Sequence, residues 1–236
     1  MGRKIPTDFH DPARRRFVSA AAATAAALAG GVAATPLAAQ VPARNGVSPE
    51  PSAPWDMRWV QLVAAAPYRV VFDTTAIADG AALGLAADFI DQFHSVYAVP
   101  DADVRAVIVM RQVATPLAFS DELWRKYKIG EQSKVIDPVT KLPALRNPFL
   151  RAAAGAPDYE VSASLERLHA RGAIFLVCNR AAMNAAARLA TGAGADVETA
   201  RTEVRSGLVP GAVLMPDGIF AMIRAQNAGC AYMRGS

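Results

Sequence analysis

The chain carries two cysteines in 236 residues, Cys178 and Cys230. Cys178 falls where the apolar run AIFLV (173–177) gives way to NRAAMNAAARLA (179–190), a helix-forming stretch. A thiol at such a junction can be a packed side chain, half of a disulfide, a metal ligand or a nucleophile. If it ends a strand, the free amides of the following helix, from Asn179 onward, would favour the thiolate through the helix dipole. An ionised sulfur there can attack sulfane sulfur, hold it as a persulfide and pass it on.

Asp73 and Arg111 fall at the ends of two other apolar runs, where they would line a pocket with Cys178 or stand as satisfied surface charges. Cys230 opens the last apolar run, as a small packed residue or as a redox partner of Cys178. One cysteine ends its strand and the other begins its own. In a parallel sheet they would lie near opposite edges, which argues against a bond. Two cysteines are also too few for a disulfide framework or a structural zinc site. His10, His94 and His169 show no ligand spacing, so neither a metal centre nor a cofactor is expected. No G-x-S-x-G elbow occurs, and no glycine-rich phosphate loop follows a strand.

The elements that must position these residues alternate. YRVVFDTT (68–75) and VRAVIVMR (104–111) read as buried strands, with a helix over about 81–97 between them. In that helix Ala86, Phe89, Ile90, Phe93 and Tyr97 form one apolar face. A short helix opens at Ser120. From about 130 to 158 periodicity stops, broken by Pro138, Pro143, Pro148 and Pro157. Ile136, Leu142, Leu145, Phe149 and Leu150 supply apolar anchors there, as a lid or a contact surface would. A helix over Val161–Arg171 precedes the strand that ends at Cys178. Helices over about 179–190 and 197–206, a strand at Ala212–Met215, a helix capped by Asp217 and a strand over Cys230–Met233 complete the pattern. Five strands separated by helices predict a three-layer α/β/α sandwich around a mainly parallel five-stranded sheet.

The N-terminal 40 residues read as a signal peptide. Arg14, Arg15 and Arg16 precede an alanine-rich apolar stretch, with small residues near Ala38 and Ala39 for cleavage within about 34–40. The spacing Arg14-Arg15-Arg16-Phe17-Val18 resembles the twin-arginine export signal, implying recognition of Arg14 and Arg15 by export machinery and a periplasmic destination. The stretch is too weakly apolar to anchor in a membrane. Removing it takes Arg3, Lys4 and Arg14–Arg16 from the 25 basic residues and Asp8 and Asp11 from the 21 acidic ones. The remainder is almost neutral and offers no electrostatic footprint for nucleic acid. Residues 41–66, with Pro42, Pro49, Pro51 and Pro54, read as an extended leader tacked down by Trp55 and Trp59. One domain follows, over 67–236.

The order of a strand, VCNRAAMNA (177–185), an acid-capped helix and GLVPGAVLMPDGIFAMIRAQNAGCAYM (207–233) resembles the DsrE/DsrF-like family, in particular its exported members. The resemblance covers about 67–234. It lies most specifically in Pro210-Gly211-Ala212 to Pro216-Asp217-Gly218 and in Arg224, Gln226 and Gly229. It implies a three-layer fold, homo-oligomeric assembly, a sulfur donor or acceptor protein as partner, and a sulfur-carrying cysteine at Cys178. A non-catalytic periplasmic binding or assembly module on the same fold is the alternative reading.

Overall fold

The structure, a computed structural model, describes residues 55–236. The signal and most of the leader lie outside the described residues. Helix α1 (Trp59–Ala65) is followed by strand β1 (Tyr68–Thr74), helix α2 (Ala81–Tyr97), strand β2 (Val104–Met110) and a 3-10 helix at Gln112–Ala118. Next come α3 (Asp121–Lys126), α4 (Ile129–Ser133), α5 (Asp158–Ser162), α6 (Leu165–Ala170) and β3 (Ile174–Cys178). The chain ends with α7 (Asn179–Ala193), α8 (Val197–Ser206), β4 (Ala212–Met215), α9 (Gly218–Asn227) and β5 (Ala231–Arg234). No helix among the described residues is long and apolar enough to cross a membrane.

The five strands form one sheet in the order β4-β3-β2-β1-β5, and every pairing is parallel. The chain steps in one direction from β1 through β4, then crosses the sheet to place β5 beyond β1. Right-handed crossovers put the first three connections on one face and the last on the other. The side chains divide accordingly. Phe72, Ile108, Phe175 and Val177 pack with α2, α6 and α7 on the first face. Val71, Val109, Leu176 and Met215 pack with Trp59 and Val63 of α1 and with Ala221, Met222 and Ala225 of α9 on the second. The three-layer α/β/α sandwich follows directly from this alternation.

The strands lie where the sequence places them, within one residue. Two helical expectations change. The leader is not extended to residue 66, because Trp59 and Val63, one turn apart, dock on the second face and wind the chain into α1. The helix expected over Val161–Arg171 is two helices. The amides of Leu165 and Glu166 donate instead to the carbonyls of Phe149 and Leu150, at 2.9 and 3.1 Å, and Ser164 caps the second helix.

Between α4 and α5, residues 134–157 form no helix or named strand, only an isolated bridge from Ile136 to Pro143. Leu150 is buried and Phe149 packs on the first-face core, as expected of anchors. Ile136, Leu142 and Leu145 are not anchors; each is more than half exposed. Polar groups hold the segment in their place. Asn147, almost fully buried, donates from Nδ2 to the carbonyls of Leu117 and Phe119 at 2.7 and 2.9 Å, and its amide donates to Asp121 Oδ1 at 2.9 Å. Asp137 accepts from the amides of Val139 and Thr140, both at 2.9 Å, which closes a tight turn. Replacing Asn147 by Ala orphans two buried carbonyls. The substitution is expected to cost about 2–4 kcal/mol in denaturant unfolding and to speed proteolysis within 134–157. An unchanged midpoint would show that the apolar residues carry the segment.

Candidate functional site

A crevice opens where neighbouring strands send their chains to opposite faces of a parallel sheet. Here that happens between β3, which feeds α7 on the first face, and β4, which feeds α9 on the second. Cys178 ends β3 on this boundary, paired in register with Met215 at the end of β4. No loop intervenes before α7. Cys178 is itself the N-cap residue, its Sγ accepting a hydrogen bond from the Ala181 amide at 3.3 Å. The carboxyl ends of the strands therefore present a sulfur joined to the amino end of a 15-residue helix.

A cavity of about 410 Å³ lies against it, lined by Arg111, Gln112, Val113, Cys178, Arg180, Ala181, Asn184, Arg188, Gly218 and Ile219. Cys178, only 5 % exposed, is among the residues that line this cavity. A neighbouring cavity of about 450 Å³ shares Val113 and Arg188 but holds no thiol. Gln112, on the wall, has a φ of +52°, a left-handed conformation that strains a non-glycine residue. At the start of α9, a Cβ on Gly218 would lie 2.7 Å from both Cβ and Cδ of Arg111. Glycine there is what lets the Arg111 stem pass.

Arg111 is fixed from behind. Its Nε and Nη2 donate to Asp73 Oδ1 and Oδ2 at 2.6 and 2.8 Å, a two-pronged ion pair. Asp73 is buried at the end of β1 and also accepts from the Tyr232 hydroxyl at 3.3 Å. The Arg111 hydrogen bonds, reinforced by Tyr232 and the charge of Arg234, hold the Asp73 carboxyl below the usual carboxylate range despite burial. Arg111 is raised in turn, first by those hydrogen bonds and then by the Asp73 charge, against the opposing effect of burial.

Arg111 and Cys178 both line the cavity, whereas Asp73 does not and reaches it only through its ion pair with Arg111. Asn179 begins α7 half-buried and does not line it either. Cys230 lies at the other edge of the sheet, just before the register pair of Ala231 with Val70. Both thiols are free. Cys230 belongs to the second-face core, and burial pushes its thiol up to about 11, so it is no redox partner for Cys178. Arg180, Asn184 and Arg188 were not singled out from sequence. Their signal was present: polar residues every fourth position of an alanine-rich helix share one face. No cluster of His, Cys, Asp and Glu able to hold a metal ion occurs among the described residues.

The fold and site define an α/β protein with a cysteine at the switch point of its sheet, beside an arginine-lined crevice. No protein-family model, curated protein or solved structure matches this chain.

Asp73 is charged in the folded protein and its carboxyl is held low, so its contribution to stability is present at neutral pH. That contribution fades as pH falls below the unfolded value of about 4 toward the folded one. Asp73→Asn is expected to lose about 2–3 kcal/mol at neutral pH by urea unfolding, with the gap to the parent narrowing in acid. A gap that stays constant with pH would show that the carboxylate charge is not what holds Arg111.

Proposed function

We propose that this is an exported DsrE-like protein that binds or relays sulfane sulfur through a persulfide on Cys178. One observation carries the reading: Cys178 Sγ caps α7 at the switch point of the sheet and borders an open cavity beside Arg111 and Arg180. The Ala181 amide donates to Sγ, the amino end of α7 adjoins it, and the Arg111 and Arg180 guanidinium groups share the cavity wall. The transfer is balanced at this one atom. The Cys178 thiolate attacks the terminal sulfur of a donor persulfide, a new Sγ–S bond forms, and the donor's S–S bond breaks with its electron pair leaving on the donor thiolate. Reversal onto an acceptor thiolate restores Cys178. Asp73 holds Arg111 in place, and Gly218 leaves it room.

Export through Arg14 and Arg15, with cleavage near 34–40, would deliver the domain to the periplasm. Two cysteines kept at opposite edges of the sheet suit a chain that folds in a reducing compartment before export. Beyond the crevice α9 exposes Phe220 and Ile223, apolar surface that a second copy would cover. A non-catalytic binding or assembly module is the second reading, favoured by the slight exposure of Cys178.

Mass spectrometry of the protein isolated from expressing cells tests these points together. The expected species begins after residues 34–40, assembles beyond a monomer under native conditions and gains about 32 Da on the Cys178 peptide after exposure to a persulfide donor. A Cys178 that never gains sulfur leaves the binding module. An uncleaved chain removes the export reading, and a native monomer the assembly reading.

A further inference from the structure

We infer that the crevice beside Cys178 binds a small divalent oxyanion group, held by Arg111, Arg180 and Arg188. The three arginines reach it from two elements: Arg111 from the end of β2, and Arg180 and Arg188 eight residues apart on α7. No Asp or Glu lines the cavity. Arg111 is matched by Asp73 behind the wall. Arg180 and Arg188 are exposed and make no ion pair or side-chain hydrogen bond among the described residues. Asn184, one turn from each, adds an amide to the same stripe. Gly218 starts α9 and Ala181 lies in the first turn of α7, so the positive ends of two helix dipoles meet here as well. Uncompensated cations and aligned dipoles on one concave wall focus a positive potential into it. Planar guanidinium groups match the geometry of sulfate-like and phosphate-like oxyanions.

Cys178 shares that wall, which narrows the substrate class. A suitable donor is a sulfane sulfur bonded to an anionic oxyacid group, of which thiosulfate is the smallest. The thiolate attacks the outer sulfur and an Sγ–S bond forms. The donor's S–S bond breaks, and its electron pair leaves with the inner sulfur as sulfite. Two negative charges enter on thiosulfate and two leave on sulfite, while the charge of the thiolate remains on the persulfide. This choice of donor rests on Cys178 being the reacting atom; the anion site itself does not.

The site is therefore tested without the thiol. In the full chain carrying Cys178→Ser, whose hydroxyl can take over the helix cap, sodium sulfate is titrated against sodium chloride at matched ionic strength and thermal unfolding is followed. A saturable, sulfate-specific rise in the midpoint is expected. Adding Arg180→Gln and Arg188→Gln should weaken it about tenfold for each arginine removed. No saturable response, or an equal response in the arginine variant, overturns the site. Thiosulfate added to the parent chain then reads the donor: added sulfur mass on Cys178 with release of sulfite upholds it. Sulfate binding without that mass leaves the anion site standing and overturns the donor class.

Discussion

The site depends on a single topological constraint: the chain leaves β3 and β4 toward opposite faces of the sheet. Had both connections run over one face, the end of β3 would be roofed by the next helix and Cys178 would be another core residue. The reversal is itself forced. With right-handed crossovers, β1 to β4 can advance in one direction only along one face, and reaching the far side of β1 requires the last helix to lie on the other. The crevice is thus a product of strand order, filled in by local chemistry.

That chemistry is a row of charged side chains along one edge of the sheet. Asp73 and Arg234 are register neighbours on β1 and β5, and Arg111 and Cys178 are the residues next after the paired Met110 and Val177. Asp73 holds Arg111 by two hydrogen bonds, and Arg111 stands on the crevice wall with Cys178. The irregular segment takes part from a distance. Asn147 holds the carbonyl of Leu117 within the 3-10 helix and that of Phe119 just after it, and the same 3-10 helix begins at Gln112 on the crevice wall. A stretch without regular structure therefore braces the backbone that carries part of the site.

Much of this was legible in the sequence. The strands were, because continuous apolar runs such as VRAVIVM have no other use at that length in a sheet buried on both faces. The position of Cys178 was, because the change from β-branched to alanine-rich sequence falls on that residue. Helix α1 was not: seven residues are too few to show a period, and the helix is fixed by the docking of Trp59 and Val63. The break at Ala163 was hidden for a similar reason, since distant carbonyls of Phe149 and Leu150 cause it. Apolar residues in the irregular segment misled. Composition alone does not show that Asn147 and Asp137 hold it while Ile136, Leu142 and Leu145 face outward. Arg180 and Arg188 gain meaning only once strand order sets α7 beside the end of β2.

The central claim is that Cys178 is a reachable, reactive sulfur although little of its surface is exposed, whereas Cys230 is a core thiol. Timed alkylation of the native protein by iodoacetamide near neutral pH, read peptide by peptide, compares the two directly. The account predicts modification of Cys178 well ahead of Cys230, with Cys230 reacting only when the protein is unfolded. Equal protection of both thiols until unfolding would contradict it.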